Sequence, residues 1–349
     1  MRIELATDED ALLSLEEEWE ALLPDSVHPS IFMSFDYQYA GWKTFHSADS
    51  RPMVVSVRDE SGALVGIAPF RSYRDRGSWA RWVTLEYLCS YEIDRPAPVI
   101  RRGREAEFWA ALQQALATSR IRWSVLRMPE LPVELVPPVE AAFAGPGPLL
   151  RTSPGNLGIG MDLRPRWDEF MGKHARLRKR NRKVERERPN LHIRLYDDPA
   201  RILDGFASYI GIEGRSWKAG KVGVSKDARH AAFYREVLLR LARRKRVAIR
   251  ILTEGDREIA GDITYAFGRR VYFHHGAYEE AERDWSPGNY ISSILLRDYM
   301  SCGYESGDFL CGFAEYMRPW CELEWRTVNV SIMRRGPLMR IADGLRRMR

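Results

Sequence analysis

Residues 257–312, REIAGDITYAFGRRVYFHHGAYEEAERDWSPGNYISSILLRDYMSCGYESGDFLCG, decide how the rest of the chain is read. The stretch reads as two paired strands, a loop closing on Ser286-Pro287-Gly288-Asn289, a helix, and a short strand beginning at Asp308. Ile291, Ile294, Leu295 and Tyr299 share one helical face. Pro287 and Gly288 set the turn directly before that helix, so its first backbone N–H groups face the loop. A strand, a small-residue loop and a helix start together make an anion site suited to a pyrophosphate. The same residues also make an ordinary strand-to-helix turn, and only context separates the two.

Working outward, 349 residues suffice for two domains or one large one. Hydrophobic content of 45% and charged content of 29% suit a globular chain with a substantial core. No apolar run is long enough to span a bilayer, so no integral membrane segment is expected. The acidic, amphipathic start MRIELATDEDALLSLEEEWE is unlike a secretory or transit signal, which makes the cytoplasm the default location. Cys89, Cys302, Cys311 and Cys321 form no C-x-x-C pair and fit no zinc ribbon, so they read as idle thiols and no metal is expected.

The net charge of +6 is concentrated. Between Lys173 and Arg188 nine Lys and Arg residues face only Glu185 and Glu187, leaving the remainder near neutral. A local excess of this kind is either a solvated helix face or a binding surface for phosphates, an anionic acceptor or a tRNA acceptor stem. Aromatic residues are not interleaved, which argues against a general nucleic-acid binder, and no DNA partner is expected.

Along the chain, Asp8 or Asp10 caps a first helix, and Ser34 opens a second. PMVVSV and ALVGIAPF form a hairpin around RDESG; RWVTLEYL and IRWSVLRM read as strands around a helix from Glu105 to Ala117. The Pro- and Gly-rich LPVELVPPVEAAFAGPGPLLRTSPGN reads as a separator. Beyond it come the basic helix, the strand LHIRLY, helices over 204–216 and 229–245, and the hairpin of VAIRILT with EIAGDITYAF. Gly66 and Gly261 hold comparable places in the two returning strands, a weak internal repeat pointing to a duplicated unit. The basic tail MRRGPLMRIADGLRRMR reads as a short amphipathic helix packed on the second half.

In this order and spacing, PSIFMSFDYQYAGWKTF, GALVGIAPF, KHARLRKRNRKVER, EGRSWKAGKVG, EIAGDITYAFGRRVYFHHGAYEE, WSPGNYISSILLRDYMSCG and DFLCGFAEYMRPW resemble the GNAT superfamily of acyltransferases. The likeness is to its two-lobed CelD-like or BioF2-like branch, related to Fem-type aminoacyltransferases. It implies an α/β fold of α+β type with two tandem GNAT-like lobes, each a mixed, mostly antiparallel sheet flanked by helices. The expected bounds are 1–150, 151–335 and a tail at 336–349. It further implies that acyl-CoA, acetyl-CoA or longer, binds the second lobe as co-substrate. The strand VYFHHGAY, with His275 and Gly276, would meet the pantetheine arm, and Ser286, Pro287, Gly288 and Asn289 the pyrophosphate. Gly288 is the loop's one glycine, and Fem-type proteins lack a glycine-rich loop and use aminoacyl-tRNA.

Forming an amide needs a neutral amine, a carbonyl placed against it and a route for the proton. Glu213, Asp262, Asp284, Asp308, Glu315, His274 and His275 are the candidate bases. Asp308 ranks first as the start of the strand after the key helix, with Glu315 and His274 behind it. His274 and His275 are neighbours in a strand, so alternation lets one face the cleft. Tyr316 and Trp217 would shape the acceptor pocket, although Trp217 equally suits core packing, and Lys218, Arg178 and Arg182 would meet anionic groups. The expected activity is acyl transfer from acyl-CoA to an amine of a small-molecule, sugar or cell-envelope acceptor. Fem-type transfer from charged tRNA to a peptide or cell-wall precursor is the alternative, and a non-catalytic interaction protein keeping the fold is a third reading. The oligomeric state is not legible.

Overall fold

The computed structural model describes residues 1–75, 82–118, 121–145, 147–311 and 321–334. Glu315, Tyr316 and the expected tail at 336–349 lie outside the described residues. The chain forms two compact units: one spans Met1–Leu157 and takes up the chain again from Trp325, and the other spans Gly158–Glu324.

The first unit contains β1 (Arg2–Ala6), α1 (Glu9–Leu13), α2 (Glu16–Leu22), α3 (Phe35–Phe45), β2 (Arg51–Arg58), β3 (Leu64–Arg74), β4 (Val83–Tyr87), β5 (Val99–Ile100), α4 (Glu105–Ala117), β6 (Val125–Pro132) and α5 (Val136–Phe143). β7 (Pro148–Asp162) then carries the chain into the second unit. That unit holds α6 (Trp167–Lys173), α7 (Ala175–Glu187), β8 (Leu191–Tyr196), α8 (Ile202–Glu213), α9 (Ala228–Arg243), β9 (Val247–Glu254), β10 (Arg257–Phe267), β11 (Arg270–Tyr278), α10 (Pro287–Ser301) and β12 (Ser306–Asp308). β13 (Leu323–Arg334) returns to the first unit, where it pairs antiparallel with β6.

Each unit is a mixed, mostly antiparallel sheet flanked by helices. In the first the strand order is β1-β2-β3-β4-β6-β13, and the β4–β6 contact is parallel. In the second it is β12-β11-β10-β9-β8, and the β11–β12 contact is parallel. Local chemistry sets several boundaries as the sequence implies. The Asp8 carboxylate accepts from Ala11 N to start α1, and the Ser34 hydroxyl accepts from Tyr37 N to start α3. The Pro- and Gly-rich separator departs from expectation, because it supplies α5 and β7. Pro137 and Pro138 fall in the first turn of α5, where no N–H is required, and Pro148 is the first residue of β7.

The repeat is physical. A Cβ on Gly66 would lie 2.5 Å from the Phe108 ring of α4, so only glycine lets that helix press onto β3. Gly261 does the same for α8 on β10, where a Cβ would meet the Tyr209 ring at 3.0 Å and Ile251 Cδ1 at 3.0 Å. Both helices bury their contacting faces completely at Phe108 and Tyr209. Replacing either glycine by valine should lower stability by about 1–3 kcal/mol through overpacking. Urea unfolding checks this: midpoints unchanged for both variants would show that the helices do not rest on these glycines.

Candidate active site

The second unit is built around a fork. β11 and β12 run parallel for three residue pairs, ending at Tyr272 and Asp308, while β11 continues to Tyr278. Past the last pair, the Phe273 ring stacks on Phe309 at 5.0 Å and meets Tyr299 of α10 edge-on at 6.1 Å. Gly307 keeps the fork tight, since a Cβ there would lie 3.1 Å from Phe273. α10 begins against the far end of β11, with the Gly288 Cα close enough that a Cβ would touch the Tyr278 ring at 3.3 Å. Ser286 precedes the helix in the left-handed region, φ 58°, and no side chain caps the first turn. With Pro287 carrying no N–H, the Gly288 and Asn289 amides lead the helix.

A buried ion network fixes that start. Glu282, 8% exposed, takes Arg257 Nη1 at 2.7 Å, Arg188 Nη2 at 3.0 Å and Trp285 Nε1 at 2.6 Å. Arg188 also pairs with Glu254 at 2.9 Å and lies over the Trp285 ring at 4.6 Å. The hydrogen bond from Trp285, then the two arginines, hold the Glu282 carboxyl below the usual range despite burial. The last arginine of the basic run is therefore a structural tether.

β11 carries a bulge. Ile263 pairs with His275 and Thr264 with Phe273, leaving His274 as the extra residue. The bulge breaks strict alternation, and this corrects the expectation that one histidine would turn away. Both rings lie against Tyr234 of α9, at 5.7 and 5.1 Å, and 4.3 Å from each other. His275 Nε2 is 2.8 Å from the Tyr234 hydroxyl. Burial, then the neighbouring His274, Lys218 and Lys226 charges, push His275 well below its ordinary value, so it is neutral.

Across from Gly276 lies Asp262, 6% exposed. A Cβ at 276 would sit 3.3 Å from Asp262 Oδ1, so the exposed glycine leaves the carboxylate uncovered on that side. Asp262 accepts no hydrogen bond among the described residues. Desolvation raises its pKa to about 7, against the opposing pull of Lys218 and Arg250. Lys218 donates to the Gly276 carbonyl at 2.7 Å, and desolvation lowers its own pKa while Glu213 and Asp262 oppose. A buried carboxylate without a hydrogen bond, with an ammonium near it and an exposed glycine across from it, can take up a proton near neutral pH.

Glu213 is 1% exposed and is consumed by the loop after α8. Its carboxylate accepts from Val224 N at 3.2 Å, Ser225 N at 3.0 Å and Ser225 Oγ at 2.6 Å. Gly223, φ 110°, passes directly over it, where any Cβ would collide with Oε1. That loop presents Trp217, which at 55% exposed is not in the core.

Asp308, the first-ranked candidate, has a different place from the one expected. It ends β12 instead of beginning it, and it is fully buried. Its carboxylate lies 3.7 Å from Arg270 and accepts from Leu310 N at 2.9 Å, shaping the turn at Leu310, φ 67°. Both contacts lie at the end of the strand. Asp284 lies on the surface, with a side chain 98% exposed. Arg178 and Arg182 sit on α7 beside α10, in a pocket separate from the residues around Asp262. Asp262 was detectable as one carboxylate inside the apolar run EIAGDITYAF; Tyr234 and the Glu282 network carried no local signal.

The raised pKa has a consequence for stability. Folded Asp262 holds its proton up to about pH 7, whereas the unfolded side chain releases it near its ordinary value of 3.8, so stability from this group falls as pH rises between the two. Asp262→Asn should therefore be more stable than the parent at pH 8 by about 2–4 kcal/mol, the difference shrinking toward pH 4. Equal denaturation midpoints at pH 8 would contradict a desolvated carboxylate.

Comparison with known proteins bears on the fold. Residues 172–318 match the family described as "Acetyltransferase (GNAT) domain". The solved structure of FemX superposes with a TM-score of 0.64 at 10% identity, covering 95% of this chain and 97% of that one. The C-terminal domain (DUF2156) of a putative lysylphosphatidylglycerol synthetase from Agrobacterium fabrum gives 0.56 at 10% identity, with 95% and 94% covered. L-PGS from Bacillus licheniformis gives 0.54 at 13% identity, with 93% and 94% covered. At these identities the likeness is one of fold. No curated protein matches by sequence.

Proposed function

We propose that the chain moves an acyl group from acyl-CoA to an amine of a small-molecule, sugar or cell-envelope acceptor, a reading supported by the GNAT domain match over residues 172–318 and by the fold it shares with FemX. The observation carrying the proposal is the fork: β11 leaves β12 after Tyr272, bulges at His274, and ends beside the uncapped start of α10. A pantetheine arm carries amides that need backbone partners, and the freed stretch of β11 from Phe273 to Tyr278 offers them in line with a pyrophosphate site at Gly288 and Asn289.

In this reading Asp262 is the base. The acceptor nitrogen, neutral, attacks the thioester carbonyl; the C–N bond forms, the C–S bond breaks, and the thiolate leaves as coenzyme A. The proton shed by nitrogen passes to the Asp262 carboxylate, directly or through one water, and from there to the thiolate or solvent. A pKa of about 7 leaves the carboxylate substantially ionised near neutral pH yet strong enough to take that proton. Lys218, at the Gly276 carbonyl, supplies positive charge where the tetrahedral oxyanion develops. Trp217, exposed on the same loop, offers the acceptor an apolar wall. Availability of acyl-CoA makes the cytoplasm the matching location.

The likeness to FemX across both lobes, with a single glycine at the start of α10, favours one second reading, transfer of an amino acid from charged tRNA to a peptide or cell-wall precursor. Calorimetry separates them. Coenzyme A and acetyl-CoA should both bind; no heat at millimolar concentration would sink the acyl-CoA reading. With an acceptor in hand, kcat/KM should rise with pH through about 7. Asp262→Asn should abolish that limb and lower kcat by roughly 10²–10⁴-fold, with acyl-CoA affinity unchanged. A retained limb would move the proton to another group.

A further inference from the structure

A pocket lies at the other end of α10 from Gly288 and Asn289. It is lined by the last turn of α10 with Tyr304, by the turn after β8, and by the link from α9 to β9. Its floor is the stretch of sheet where Ala248 of β9 pairs with Thr264 of β10 and Ala266 follows two residues on. The cavity measures about 550 Å³, within the roughly 300–1,000 Å³ of small-molecule sites. Asp262 is not among the residues lining it.

One guanidinium is fixed in that floor. Arg250 Nη1 donates to the Tyr299 hydroxyl at 2.7 Å, and the guanidinium lies over the Tyr299 ring, 4.8 Å from its centre. The Thr264 hydroxyl donates to the Ala248 carbonyl at 3.3 Å, so it accepts from Tyr299 Oη at 2.6 Å. This chain of donors holds Arg250 in place without supplying a counter-charge. Half-buried Arg250 has no ion pair among the described residues.

Asp298 is in the converse position. It is half-buried in the last turn of α10, a turn that holds no basic residue. The helix dipole disfavours a carboxylate there unless a cation meets it, and none does among the described residues. Arg243 and Lys245 add exposed positive charge to the pocket, and Asp197 and Asp198 exposed negative charge. No ion pair joins any of these six groups among the described residues. A bare anion would meet three carboxylates here, and a bare cation three basic groups. A molecule carrying both charges is opposed by neither set.

We infer that this pocket is a second small-molecule site, for a zwitterionic amino compound: an apolar amino acid or a short peptide. Its carboxylate meets Arg250, its ammonium meets Asp298, and its apolar part covers Ala248 and Ala266. The two poles flank Tyr299, one bonded to its hydroxyl and the other preceding it in the helix. Arg250 is also the cross-strand partner of Asp262, so the occupant and the candidate base share one arginine. The inference is independent of the acyl-CoA reading, whose pyrophosphate residues begin the same helix.

The test is calorimetry with L-phenylalanine, L-alanyl-L-phenylalanine, 3-phenylpropionate and 2-phenylethylamine, the last two each lacking one pole. L-phenylalanine or the dipeptide should bind about tenfold or more tightly than either one-pole compound, and the tighter of the two says whether a single residue or a peptide is the occupant. Arg250→Gln should erase the advantage over 2-phenylethylamine and keep that over 3-phenylpropionate; Asp298→Asn should do the reverse. Thermal unfolding checks that each variant is folded, and exposed Arg243→Gln, acting in the same direction as Arg250→Gln, serves if the latter is not. Arg235→Gln, exposed on α9 outside the pocket, should change neither ratio. Equal binding of all four compounds, equal losses in every variant, or no heat from any compound at millimolar concentration overturns the inference.

Discussion

The parting of β11 from β12 is the constraint on which the second unit depends. A strand that leaves its neighbour frees backbone N–H and C=O groups that must be satisfied elsewhere. Three devices keep that break open. Phe273 and Phe309 stack where the strands separate, Asp308 turns the chain away at Leu310, and α10 lies against the gap through Tyr299. Asp308 thus serves the site by ending a strand, and its full burial is what that task requires.

The fork also explains why the candidate chemistry gathers on β10 and β11. Gly276 and the His274 bulge sit on the stretch of β11 that has lost β12 on one side while staying paired with β10 on the other. Gly276 uncovers Asp262 from one side, while Lys218 reaches from the loop after α8 to the Gly276 carbonyl. Loop and strand are joined through Lys218 at the Gly276 carbonyl, and Glu213 binds the backbone of the same loop at Val224 and Ser225. Desolvation and charge act together here: burial alone would neutralise Asp262, and Lys218 with Arg250 limits how far it goes.

Much of the fold was legible because local chemistry states it. Asp8 and Ser34 capped the helices expected of them, the Glu105–Ala117 helix has the predicted bounds, and Gly66 and Gly261 proved to be paired contact points for helices. What misled was composition without context. Prolines in LPVELVPPVEAAF suggested a linker, but at a helix start they satisfy the rule that makes them look like breakers. In the site, residue types were legible and their surroundings were not. Asp262 and Asp308 are both aspartates in short apolar surroundings, and only tertiary placement shows that one is bonded to a turn and the other is unbonded. Two adjacent histidines on one side are likewise invisible without the register shift at Ile263.

The basic run shows how one charged segment divides its labour. Arg188 is drawn into the Glu282 network, and its position over Trp285 ties the end of α7 to the turn before α10. Lys183 pairs with Glu187 on the exposed face. Arg178 and Arg182 fall one turn apart on the face directed at α10, on either side of buried Asn181, because Leu177, Asn181 and Val184 form the helix's inward stripe. A helix with so little apolar surface is held mainly by that stripe and by the tether at its end, so its remaining cations are available for an anionic ligand. The same helix α10 then presents its N-terminal amides at one end and its outer face to these arginines along its length.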